Sequence, residues 1–64
     1  MYLSLLDFSV GKVRIIKMNR EDEEMYNKSD ESDLDFIYKV EKKYNFRESQ
    51  CSWMITKDLK FEVE

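Results

Sequence analysis

The 64-residue sequence predicts an α+β domain: a small β-β-α-β-β arrangement with a mainly antiparallel sheet and one helix packed on a face. Three observations carry this expectation. Two segments rich in β-branched, aromatic and aliphatic residues flank the only glycine, Gly11. Leu34 to Tyr44 repeats apolar side chains at helical spacing, and residues 59–64 alternate apolar and charged side chains without exception.

The first pair of strands is read from Tyr2-Leu3-Ser4-Leu5-Leu6-Asp7-Phe8 and Lys12-Val13-Arg14-Ile15-Ile16-Lys17-Met18. Period-two alternation puts Leu3 and Leu5 on one face, against Tyr2, Ser4, Leu6 and Phe8. Val13 and Ile15 likewise oppose Arg14, Ile16 and Met18. Both faces are partly apolar, which predicts a helix on one side and a second contact on the other.

From Asn19 to Asp35, eight of 17 residues are acidic and only Arg20 and Lys28 are basic, a local charge of −6 beside +3 for the rest of the chain. Met25 and Tyr26 are the only large apolar residues between Asn19 and Asp33, so an acidic, solvated connection is expected at about 19–32. At most a single helical turn is expected within it, at Glu21–Met25. Ser32 stands where an N-cap would, with Asp33 and Asp35 in the first turn. Phe36, Ile37, Val40 and Tyr44 share one face, and Lys39, Lys42 and Lys43 cluster late, which predicts a helix over about 33–45 ended by Asn45. Cys51-Ser52-Trp53-Met54-Ile55-Thr56 has strand composition. After a break at Lys57-Asp58, Leu59-Lys60-Phe61-Glu62-Val63-Glu64 is read as a fourth strand with one buried and one wet face.

Composition removes whole classes of chemistry. The chain has no histidine, which excludes Ser-His-Asp, Cys-His and HExxH sites, and one glycine, which excludes a P-loop or a GxGxxG turn. Carboxylate-pair catalysis remains, but it needs a cleft that separates two pKa values, which so small a monomer rarely builds. The longest apolar runs are three residues, far short of the ~20 that span a membrane. Met1 is followed by neither a basic region nor a small-residue cleavage site, and the chain has a single cysteine, so a cytoplasmic protein is expected. The energetics are narrow. A chain of 7.9 kDa removes about 7,000 Å² from water on folding. With about 60% of that area apolar, its burial contributes on the order of 100 kcal/mol, against roughly 96 for ordering the chain. With one cysteine and no histidine, neither an internal disulfide nor an ordinary zinc site adds to this, which leaves good packing or a partner.

Tyr2-Leu3-Ser4-Leu5-Leu6-Asp7-Phe8 with Gly11-Lys12-Val13, and Glu48-Ser49-Gln50-Cys51-Ser52-Trp53-Met54-Ile55-Thr56, resemble segments of short proteins of unassigned function from gut Bacteroidetes and their mobile elements. The likeness covers both ends of the chain and skips the acidic middle. It implies a bacterial cytoplasmic protein and lends no site residues.

The expected function is a small non-enzymatic protein-interaction module whose partner is another protein or a second copy. Its expected surface is the exposed side of the sheet together with the acids Glu21, Asp22, Glu23, Glu24, Asp30 and Glu31. Nothing in the sequence separates Asp22 from its neighbours as anything but a solvated acid. No catalytic residue, cofactor or resident metal is assigned, and no membrane is expected. The alternative is a nucleic-acid-related role. Either Lys12, Arg14 and Lys17 bind it beside Tyr2 and Phe8, or the acidic stretch mimics its phosphates. A pI near 4.9 weighs against a binder, and alternating charge on a hairpin also guards an edge strand. Asp30, Glu31, Asp33 and Asp35 lack the EF-hand glycine, Ser29 and Ser32 precede acids as kinase sites would, and Cys51 and Trp53 are read first as core residues.

Overall fold

The computed structural model describes residues 1–28 and 32–64. Its elements are β1 (Tyr2–Asp7), β2 (Lys12–Lys17), α1 (Arg20–Asn27), α2 (Asp33–Val40) and β3 (Cys51–Thr56), the last preceded by a 3-10 turn at Glu48–Gln50. The class is α+β, as the sequence predicts. The order is β-β-α-α-β, with two helices in place of one and three strands in place of four among the described residues.

β1 and β2 form the expected antiparallel hairpin, with Leu3 opposite Ile16 and Leu5 opposite Arg14. The turn is held by the Asp7 carboxylate, which accepts the Ser9 N–H at 2.9 Å and the Ser9 hydroxyl at 2.5 Å. Gly11 closes it at φ +64°, and a Cβ there would meet nothing within 4 Å, so backbone conformation rather than space calls for glycine. β3 pairs antiparallel with β1 on its other side, with Leu3 opposite Ile55 and Leu5 opposite Trp53. The sheet order is therefore β2-β1-β3, and both β2 and β3 are edges.

α1 corrects the expected acidic connection. Asn19 caps it: its side-chain oxygen accepts the Asp22 N–H at 2.8 Å, and Asp22 accepts the Asn19 N–H at 3.3 Å, a reciprocal capping box. Glu21, Asp22 and Glu23 in the first turn suit the positive end of the helix dipole. Met25 and Tyr26 suffice to dock the helix, and the Tyr26 ring meets Phe36 edge-on at 5.3 Å. A charge-rich window looked unstructured because its order comes from a cap and two tertiary contacts rather than from a continuous apolar stripe.

α2 begins after Ser32, which is extended but makes no side-chain capping bond. Helical turns continue past Val40: the Tyr44 N–H donates to the Val40 carbonyl at 3.1 Å. Asn45 then adopts φ 55°. The Phe46 N–H reaches the Glu41 carbonyl at 3.1 Å and the Asn45 N–H the Lys42 carbonyl at 3.4 Å, the paired bonds of a Schellman motif. Asn45 is thus the helix-ending residue, as expected, and Phe46 beyond it is buried.

Residues 59–64 form no strand, and Phe61 and Val63 are exposed. The reason lies in the break before them. A two-residue hairpin turn needs positive φ, and among the described residues only Gly11 and Asn45 have it, so Lys57-Asp58 does not fold the chain back onto β3.

The core lies on one side of the sheet. Leu3, Leu5, Met18, Phe36, Ile37, Val40, Phe46 and Cys51 are buried there, with Ile16, Met25, Tyr26, Trp53 and Ile55 packed around them. No helix among the described residues is long and apolar enough to cross a membrane.

Candidate functional site

The pleat that sends Leu3 and Leu5 into the core sends Tyr2, Ser4 and Leu6 to the opposite face, with Val13 and Ile15 from β2 and Met54 from β3 beside them. Both helices pack over the other face, so this one stays open. Leu6 is 45% exposed, Val13 60%, Ile15 39% and Met54 53%. At the hairpin end, Leu6, Phe8, Gly11 and Val13 line a mostly apolar hollow of about 280 Å³. At the centre of the face Ser4 is buried between Ile15 and Met54, its cross-strand neighbours, and its hydroxyl has no hydrogen-bond partner. The Thr56 hydroxyl is in the same condition. Chemically this is a largely apolar surface with two hydroxyls, those of Ser4 and Thr56, that have no hydrogen-bond partner.

The acids expected to extend that surface do not do so. α1 lies in the helical layer, so Glu21 and Glu24 are exposed on the side away from the open face. Glu24 pairs with Arg20 at 3.7 Å, and half-buried Glu23 pairs with the Met1 amino group at 3.6 Å. Asp30 and Glu31 lie outside the described residues. Asp22 is a correction: it is fully buried. Its carboxylate takes Lys43 Nζ at 2.6 Å and a short hydrogen bond from the Tyr44 hydroxyl, besides the Asn19 N–H. Burial by itself would raise the Asp22 pKa. The bonds from Lys43, Tyr44 and Asn19 outweigh it and hold the carboxyl below its ordinary value. The Asp22 hydrogen bond raises Lys43, while burial, first, and the Asp22 bond raise Tyr44. The cluster holds a permanent carboxylate with its acceptors engaged, which suits a structural clamp. The spacing of Asn19 and Asp22 is that of a capping pair, which signals the start of α1 but does not by itself single out Asp22 as the buried acid.

The basic residues do not converge either. Lys12 and Arg14 project from the helical side of the sheet and Lys17 from the open side, opposite Tyr2. Arg14 is already engaged, donating to the Asn45 carbonyl at 3.2 Å. Tyr2 lies on the face opposite to Lys12 and Arg14 and shares its face with Lys17 alone among the three.

Cys51 is buried in the core, and burial, then the nearby Asp7 charge, raises its thiol pKa, so the sulfur stays protonated. Trp53 is half-buried and packs against the core on the helical side. A surface depression beside the 3-10 turn is lined by Asp7, Glu41, Lys42, Asn45 and Arg47 among others. Its two carboxylates serve the backbone. Glu41 accepts the Glu48 N–H at 2.9 Å, and the Ser9 hydroxyl bond holds Asp7 in the ionised form. Among the described residues no group of Cys, Asp and Glu is placed to share a metal ion.

No family model matches the chain, and neither a curated protein nor a solved structure is similar to it.

Proposed function

We propose that this chain is a small non-enzymatic protein-interaction module of a bacterial cytoplasm, which docks another polypeptide on the open face of its sheet. The observation that carries the reading is the side-by-side exposure of Leu6, Val13, Ile15 and Met54 on a face no helix covers. Contiguous apolar patches rimmed by polar residues are what polypeptide partners cover. The unpartnered Ser4 hydroxyl adds a polar group for a partner to satisfy.

The test is a photo-crosslinking amino acid placed at Met54 on the open face, or at Glu24 on α1, in the full chain expressed in a bacterium. Adducts heavier than one chain from position 54 and none from position 24 are expected. Their mass tells a second copy from a different protein. No adduct from position 54, or equal adducts from both, would overturn the open face as the docking surface.

A further inference from the structure

The open face leads at one edge to β2, and the chain carries a strand-patterned segment that pairs with nothing. In 59–64, Phe61 and Val63 are 68% and 83% exposed. β2 pairs on one side only. Exposed edge strands are templates for another strand, and β2 is neither short nor covered.

One register satisfies every side chain from Phe61 onward. Aligned antiparallel with Phe61 opposite Ile15, the segment puts Val63 opposite Val13, Glu62 opposite Arg14 and Glu64 opposite Lys12. Directly opposed residues share a face, so Phe61 and Val63 extend the apolar open face beyond Ile15 and Val13. Both glutamates then meet both cations on the helical side. Leu59 and Lys60 fall at Lys17 and Ile16, where the added strand begins. The parallel alignment with Phe61 opposite Val13 would instead set Lys60 against Lys12. The outer edge of β3 offers Cys51, Ser52, Trp53, Met54, Ile55 and Thr56, with no charge for Glu62 or Glu64 to meet.

The chain does not make this pairing with itself. The segment leaves from Thr56 at the end of β3, and the outer side of β2 lies three strand spacings away, about 14 Å. The three steps from Thr56 to Leu59 span at most about 11 Å. So short a connection keeps Leu59 from the position opposite Lys17 within one chain, and short connections favour exchange between copies.

We propose that two copies of this chain dimerise by strand exchange, residues 59–64 of each pairing antiparallel with β2 of the other about a two-fold axis. The proposal rests on the interaction-module reading and names its partner as a second copy. The exchange makes a four-stranded sheet in each half and covers both β2 edges.

The test is solution mass across a dilution series, with far-UV circular dichroism to follow folding. The full chain is expected at twice its single-chain mass. Truncation after Asp58 is expected to leave the circular dichroism of a folded domain, since Phe61 and Val63 are exposed and Leu59, though half-buried, is not one of the core residues, and to run as a single chain. Arg14→Glu and Glu62→Arg are each expected to weaken the dimer about 30-fold, because each reverses both symmetry-related pairs. Mixing the two variants restores opposite charge at both sites, so the mixture should regain the mass of two chains. Should Arg14→Glu fail to fold for want of its Asn45 bond, Lys12→Glu with Glu64→Lys makes the same comparison. A single-chain mass for the full chain at every concentration overturns the exchange. A dimer indifferent to truncation, or variants not rescued by mixing, does so too. In each case cross-linking at Met54 still decides the interaction reading by itself.

Discussion

Lys43, in the turns after α2, places its Nζ 2.6 Å from Oδ1 of Asp22 in the first turn of α1, and so ties the end of one helical segment to the start of the other. Asp22 is at once half of a capping box and the anchor for Lys43 and Tyr44. A single carboxylate therefore fixes the start of one helix and the end of the next.

Asp22→Asn removes the charge that both Lys43 and the helix dipole favour, and is expected to cost about 2 kcal/mol, or roughly 10 °C in Tm for a chain this size. The pH dependence has a definite sign. The Asp22 pKa is lower folded than its ordinary 3.8. Its contribution is thus present above about pH 4 and lost as pH falls through the lower folded value. Lys43 is raised above its ordinary 10.5, so the same pair contributes fully below that value and weakens as pH climbs through the higher folded one. Thermal melts from pH 7 down to 2 should show a steeper acid loss for the natural chain than for Asp22→Asn. Parallel curves would remove Asp22 from the account.

Asn45 holds φ 55°, in the left-handed region. Asn45→Gly is expected to leave stability unchanged or slightly raised, whereas Asn45→Val should cost about 1–2 kcal/mol by urea denaturation. Equal midpoints for the two would argue against the Schellman geometry.

Cys51 is buried with its thiol pKa raised. Reaction with a disulfide dye at pH 8 is expected only at the rate of local or global opening, and at once in denaturant. Immediate labelling of the folded chain would place the sulfur outside the core.

Lys12 and Arg14 lie on the face opposite to Tyr2, with Lys17 beside it. Titration of labelled single-stranded DNA at moderate salt is therefore expected to show no saturable binding, and Lys17→Glu to change nothing. Salt-sensitive binding abolished by Lys17→Glu would restore the nucleic-acid reading.

Much of the architecture is legible along the chain because it is local. Period-two alternation sorted Leu3 and Leu5 from Ser4 and Leu6, and Val13 and Ile15 from Arg14 and Ile16, and the observed registers keep that sorting. Gly11 between the two strands and Asn45 at the helix end were marked in the sequence, and both hold positive φ. The 36, 37, 40 spacing marked the buried stripe of α2. What escaped was non-local. α1 stands on one cap and on contacts to Phe36 and Lys43, residues well beyond its own window. Asp22 looks like its acidic neighbours until Lys43 and Tyr44 arrive from some twenty residues away and make it the one that can be buried. Strand order belongs to the same class. Nothing in β1 itself says it is central, which follows from β3 returning to its free side. The strand pattern of 59–64 was visible in the residues, but pattern sets only which faces a strand would have. Whether it pairs depends on a turn that can reach a free edge, and Lys57-Asp58 does not make one. The sequence by itself determined the local periodicities and special backbone positions. Which face was left open, and which acid was taken inside, only the tertiary structure decided, because burial is a property of residues brought together across the fold.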